Sequence, residues 1–175
     1  ANIIMTPKSE NLSLSYGGIY VGGVNYKVQE FDQDRLTHIR SIKNAKSLSI
    51  VAPKVLGPVV VNDKKVLLMG VVFKEELSLK TWWQKTNGYF PQKDDEVILG
   101  SQVAKFLGVK TGQTFELSNK LFKISTILKS TGSSEDNAII ADLKVSQKVL
   151  GKDGKLSMVE IAAFCRGCPI NELTL

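Results

Sequence analysis

The residue pattern predicts an α+β fold in which a small unit interrupts a larger one. Three observations carry this. Apolar runs of strand length, such as "VLGPVVV" and "VLLMGVVF", are bounded by turn residues. Segments such as "FDQDRLTHIRSIKNA" place apolar residues at helical spacing instead. Near Glu96 the texture changes, and the chain continues with a strand, helix, hairpin, strand and helix of its own. That places a compact, β-rich insert over residues 92–152, with residues 1–91 and 153–175 forming the unit around it.

The elements follow in order. "ANIIMTPK" reads as a strand ended by Pro7. "LSLSYGGIYVGGVNYKVQ" carries Gly17, Gly18, Gly22 and Gly23 but neither a GK[ST] ending nor a G-x-G-x-x-G spacing, so it reads as a hairpin or loop. A helix is expected from Asp32, a candidate N-cap, with Leu36, Ile39 and Ile42 on one face. "SLSIVAP" alternates as a strand closed by Pro53. "GPVVVNDKKVLLMGV" reads as a hairpin turned at "NDKK". "FKEELSLKTWWQKT" reads as a helix, broken at Gly88 and Pro91.

In the insert, "EVILGSQVAKFLGV" is expected as a strand and then a helix through Val103, Phe106 and Leu107. "QTFELSNKLFKISTIL" is expected as a hairpin turned at Ser118-Asn119-Lys120. "GSSED" reads as an exposed polar loop, "NAIIADL" as a buried strand, and "KVSQKVLG" as a short helix ending at Gly151. "KLSMVEIAAF" is the last strand, running into Cys165.

Composition narrows the function classes. The chain of 175 residues is 43% hydrophobic and 23% charged, a globular balance that does not suit a disordered segment. No apolar run approaches the roughly 20 residues of a membrane helix. No basic region precedes an apolar one at the start, so no signal peptide is expected, and an opening on Ala1 predicts a processed chain or a piece of a longer one. The net charge of +6 permits an anionic partner, but the lysines are scattered and no nucleic-acid-binding motif accompanies them. Nucleic acid is therefore not an expected partner.

Candidate chemistry is sparse. His38 is the only histidine, and no G-x-S-x-G elbow exists to pair with it. Asp34 and His38 stand at i, i+4, but two ligands do not make a metal site. Asp94-Asp95-Glu96 and Glu135-Asp136 read as solvated turn carboxylates, with nothing to signal the burial that an acid catalyst needs. Of the adjacent Trp82 and Trp83, one is expected to enter the core and the other to cover a subdomain junction or meet a partner. Cys165 and Cys168 form a C-x-x-C followed by Pro169. Haem attachment needs a histidine next, and a zinc site needs a second ligand pair. Two readings stay open. A strand, C-x-x-C and helix start is the local arrangement of a thiol–disulfide redox centre, although only seven residues follow Cys168. A structural disulfide would instead tie the last strand to a terminal helix at "PINEL" and would need an oxidising compartment to persist.

The segments "DEVILGSQVAKFLGVKTGQTFEL" and "FKISTILKSTGSSEDNAIIADLKVSQKVLG", with "ANIIMTPK", "LLMGV", "WW" and "GYFP" before them, resemble the MacB/FtsX-type periplasmic core domain of bacterial ABC-transporter permeases. Ser125-Thr126 stands where that family commonly has glycine. The resemblance implies a porter-like α+β unit with a smaller β-rich subdomain inserted. It implies an extracytoplasmic domain of an inner-membrane protein with no catalysis, cofactor or metal of its own. The implied partners are membrane helices of the same chain, a separate ATP-binding subunit or domain, a second permease protomer, and a periplasmic adaptor or lipoprotein. It further implies that the first strand and terminal helix join membrane helices whose motion tilts the domain, and an oxidising compartment that suits a Cys165–Cys168 disulfide.

Overall fold

In the computed structural model the described residues are 2–5 (backbone only), 29–39, 41, 42, 45 and 48–163. The strands are β1 (Asn2–Met5), β2 (Phe31–Asp32), β3 (Leu48–Val61), β4 (Lys64–Val71), β5 (Glu96–Leu99), β6 (Thr114–Leu117), β7 (Lys120–Ile127), β8 (Ala138–Asp142), β9 (Lys155–Leu156) and β10 (Met158–Ala163). The helices are α1 (Leu36–Ile39), α2 (Phe73–Leu79), α3 (Ser101–Leu107) and α4 (Leu143–Leu150). The glycine-rich stretch at 17–23 and both cysteines lie outside the described residues.

Among the described residues eight strands form one mixed sheet in the order β1-β10-β3-β4-β8-β5-β7-β6, and β2 pairs with β9 in a separate ribbon. Residues 92–152 supply the β8-β5-β7-β6 half, which joins the rest through the parallel pair β4–β8. β5 and β7 also run parallel. The class is α+β, as the apolar patterning predicts.

β3 corrects one expectation. Pro53 does not close a strand, because β3 continues through both Pro53 and Pro58. The register explains why. β3 pairs with β10 up to Lys54 and with β4 from Lys54 onward, on opposite sides. Each proline therefore stands where one edge of β3 is unpaired, and its missing N–H removes no ladder bond. Both sheet hairpins turn as expected. Asn62 and Asp63 (φ 50° and 61°) join β3 to β4, and Ser118 and Asn119 (φ 50° and 59°) join β6 to β7. Paired positive φ values make the two-residue turn whose twist suits antiparallel strands.

Alternation along the strands separates two faces. One face carries Val55, Val59, Leu68, Val97, Leu99, Phe122, Ile124 and Ile139, and α3 and α4 cover it through Val103, Leu107 and Val145. Gly70 lets α4 approach, since a Cβ there would lie 2.4 Å from Ser146 Cβ. Asp142 caps α4, accepting from Lys144 N and Val145 N, and Gly151 ends it at φ 64°. The other face carries Leu56, Met69, Val71, Ile98, Ile140 and Met158, with Trp83 among them.

Three more expectations are corrected. The helix expected from Asp32 is reduced to a 3-10 turn (Gln33–Arg35) and the four residues of α1. Asp32 makes no capping bond. It belongs to β2, and its carboxylate lies 2.6 Å from Lys155 Nζ across the ribbon. Phe106 does not face the core with Val103 and Leu107 but is exposed, with Lys64 Nζ 4.9 Å from its ring centre. Glu135 and Asp136 are not solvated but 3% and 4% exposed, because the loop folds back on the sheet around them.

Candidate functional site

A long apolar strand offers no partner to a charge, so Lys54 within "VAPKVLG" must find one across the sheet or under a helix. It finds two. Lys54 is fully buried, ion-pairs with Glu76 of α2, and lies 2.8 Å from Glu160 Oε2 on β10. Lys80, one residue past α2, reaches Glu160 Oε1 at 3.1 Å and Glu135 Oε1 at 3.2 Å. Two ammonium groups and three carboxylates thus meet beneath α2, drawn from β3, α2, β10 and the turn before β8.

Among the described residues the cluster brings two ammonium groups against three carboxylates. Burial pushes the Glu76 carboxyl above its ordinary value, against the pull of Lys54. Burial acts to lower Lys80, but the Glu160 and Glu135 carboxylates outweigh it and hold the ammonium above its ordinary value. These side chains are buried and engaged with one another, an arrangement that fixes geometry.

The adjoining turn is held by Asp136. Its carboxylate accepts from Thr131 N at 2.9 Å, Gly132 N at 3.0 Å, Ser130 Oγ at 2.7 Å and Thr131 Oγ1 at 3.0 Å. Burial raises its pKa, and these bonds, led by Thr131, overcome that and hold it below the usual carboxylate value. Gly100, between β5 and α3, lets the turn sit against the backbone. A Cβ there would lie 2.1 Å from Glu135 O.

Beyond Lys80 the chain forms a ledge along β7. Thr86 N donates to Ile127 O at 2.9 Å and Tyr89 N to Ser125 O at 3.1 Å. The structure places Trp83 in the core at 5% exposure and Trp82 outside it at 53%, both in the turn after α2 rather than on the helix. Trp82 has one ring face on Lys80 Nζ, 5.3 Å from the ring centre. Farther along, Lys85 Nζ lies 4.9 Å from the Phe90 ring centre and Lys123 Nζ 5.5 Å from that of Tyr89. Glu96 clips the end of the ledge to β5, accepting from Tyr89 Oη, Gln92 N and Lys93 N. The Tyr89 bond above all holds the Glu96 carboxyl below its ordinary value.

Among the described residues no three His, Cys, Asp or Glu side chains are grouped to hold a metal. His38 is exposed on α1. Cys165 and Cys168 lie outside the described residues. The buried ion cluster was not read from sequence. The available signal was complementarity: a lysine in "VAPKVLG" and a glutamate in "SMVEIAAF", each inside a run otherwise fit for a core.

No family model matches the chain, and no curated protein is similar to it in sequence. Solved structures are similar in shape. The extracellular domain of the ABC-type transporter YknZ from Gram-positive bacteria matches with TM-score 0.65 and 11% identity, over 95% of this chain and 85% of that one. The periplasmic region of MacB from Actinobacillus actinomycetemcomitans matches with TM-score 0.60 and 11% identity, over 96% of this chain and 76% of that one. The chain therefore has the α+β fold of these two transporter domains, the fold that the resemblance of its motifs implied.

Proposed function

We propose that this chain is the extracytoplasmic domain of a bacterial ABC-transporter permease, with a mechanical role rather than a catalytic one. It would pass conformational change between membrane helices of its own chain and a partner or substrate outside the membrane. A separate ATP-binding subunit or domain would drive the change, and a second protomer and an adaptor or lipoprotein are the expected contacts. The observation that carries this reading is the β1–β10 pair in a fold shared with two such domains. Asn2 stands opposite Ala162, so the start of the first described strand and the end of the last lie side by side. A domain inserted between two membrane helices needs that arrangement. Motion of either helix would then act on neighbouring strands and swing the sheet as a body.

The reading is tested on the full gene product in its own membrane. Lys105, exposed on α3, is replaced by cysteine in a Cys165→Ser/Cys168→Ser background. A membrane-impermeant maleimide should label it in intact cells, after permeabilising an outer membrane where one exists. Labelling only after the inner membrane is broken would overturn the reading. An ATP-binding protein should also co-purify with the permease.

A further inference from the structure

We propose that the ledge at residues 80–93 is a docking surface for anionic phospholipid headgroups. The proposal deepens the extracytoplasmic reading by naming a contact, and its test does not depend on that reading.

The ledge alternates rings with ammonium groups. Trp82 is half exposed, and Tyr89 and Phe90 are half-buried. Lys85 and Lys123 stand over the rings of Phe90 and Tyr89. Lys129 Nζ lies 3.2 Å from Gln84 Oε1, beside the same segment, and Lys93 is exposed at its end. Residues 80–93 contain three lysines and no acid. Of the carboxylates that follow the ledge, Glu96 is taken up by Tyr89, Gln92 and Lys93, Asp94 lies 3.7 Å from Lys120 Nζ, and Asp95 faces Lys123.

Composition decides between a lipid surface and a protein. Protein interfaces favour arginine and deplete lysine, and this ledge has lysine and no arginine. Lysine is a compact, hydrated point charge, suited to phosphate oxygens without a fixed fork geometry. Tryptophan and tyrosine, with an apolar body and a polar edge, collect at the headgroup level of membranes. Trp82 is also held in place. Its inner face rests on Lys80, which is anchored to Glu160 and Glu135, so the outer face is presented without a loose side chain to order.

The test uses the 175-residue chain and two kinds of vesicle, phosphatidylcholine alone and phosphatidylcholine mixed with phosphatidylglycerol. The chain should co-sediment with the mixed vesicles only, with a blue shift in tryptophan emission, and salt should weaken the binding. Lys85→Gln/Lys123→Gln should weaken it about fivefold per lysine removed. Trp82→Ala should weaken it about tenfold and abolish the blue shift. Lys144→Gln/Lys148→Gln, on the exposed side of α4 across the sheet, is the control for general attraction to a chain of net charge +6. Equal loss in the control pair and the ledge pair would overturn the proposal, as would unchanged binding by Trp82→Ala. Binding to polyglutamate without binding to mixed vesicles would also overturn it and point to an acidic protein segment. Circular dichroism spectra matching the parent chain establish that each variant is folded.

Discussion

Lys54 Nζ and Glu160 Oε2 meet at 2.8 Å across the β3–β10 ladder, diagonal neighbours on a face otherwise filled by Leu56, Met69 and Met158. Their contact ties β10 to its neighbour β3, and Glu76 of α2 pairs with Lys54 from above the sheet. A buried ion pair of this kind is weak evidence for stability, because desolvation offsets much of the attraction. Its removal on one side only is another matter.

Lys54→Met leaves Glu76 and Glu160 buried with Lys80 as the remaining cation of the cluster among the described residues. The expected loss is about 3 to 5 kcal/mol in urea unfolding. Lys54→Met combined with Glu76→Leu should lose clearly less than Lys54→Met alone, since the second change removes the stranded charge. Additive losses would mean that the two residues do not act as a pair.

Glu76 and Asp136 should respond to pH in opposite senses. The folded pKa of Glu76 is raised above 4.5, so the folded state favours its protonated form, and stability from this group falls as pH rises through that pKa. Relative to the parent, Glu76→Gln should therefore gain stability as pH rises above 4.5. Asp136 is held below 3.8, so its contribution is present above 3.8 and lost as pH falls through the folded value. The deficit of Asp136→Asn should accordingly be largest near neutrality and shrink in acid. Chemical denaturation at a series of pH values reads both slopes, and parallel slopes for the two variants would contradict this.

Gly100→Ala forces a Cβ to within 2.1 Å of Glu135 O, against backbone rather than a yielding side chain. It should lower stability by about 1 to 3 kcal/mol and loosen the 130–136 turn. Gly108→Ala meets no atom within 4 Å but must hold φ at 70°, so its loss should be about 1 kcal/mol and confined to the end of α3. Hydrogen exchange at Thr131 and Gly132 separates the two, with faster exchange expected for Gly100→Ala alone.

The β6–β7 turn can be improved. Ser118 and Asn119 hold φ of 50° and 59°, a geometry for which Asn-Gly is the favoured pair. Ser118→Asn/Asn119→Gly should gain about 0.5 to 1 kcal/mol. No gain in melting temperature would show that the turn is not held in this geometry in solution.

Much of the architecture could be read from residue order, because both hairpins and the strand–helix units repeat a local period that side-chain chemistry sets. The failures share a cause. Pro53 ends a strand only if both edges of that strand are paired, and the partner change at Lys54 is a tertiary fact. Asp32 has the side chain of an N-cap, but Lys155 lies 123 residues away in sequence and claims it. Glu135 lies among polar side chains from Ser133 to Asn137, and its ion-pair partner Lys80 comes from the residue after α2, far away in sequence. The candidate site was half legible for the same reason. Two adjacent tryptophans point to one buried and one exposed, whereas Lys54, Glu76 and Glu160 become a cluster only when β10 lies beside β3.

That placement of β10 sets an order of events for the growing chain. β1 is the earliest described strand, and its neighbour among the described strands is β10, whose residues are made more than 150 positions later. Residues 2–5 must therefore wait for this partner while the β3–β4 hairpin and the strands after it assemble. Through that interval the first half of β3 also shows an open edge, the kind of edge that pairs with the wrong chain. The interval closes only when residues 158–163 emerge and slot between the two, so arrival of the final strand is the event that commits the whole sheet.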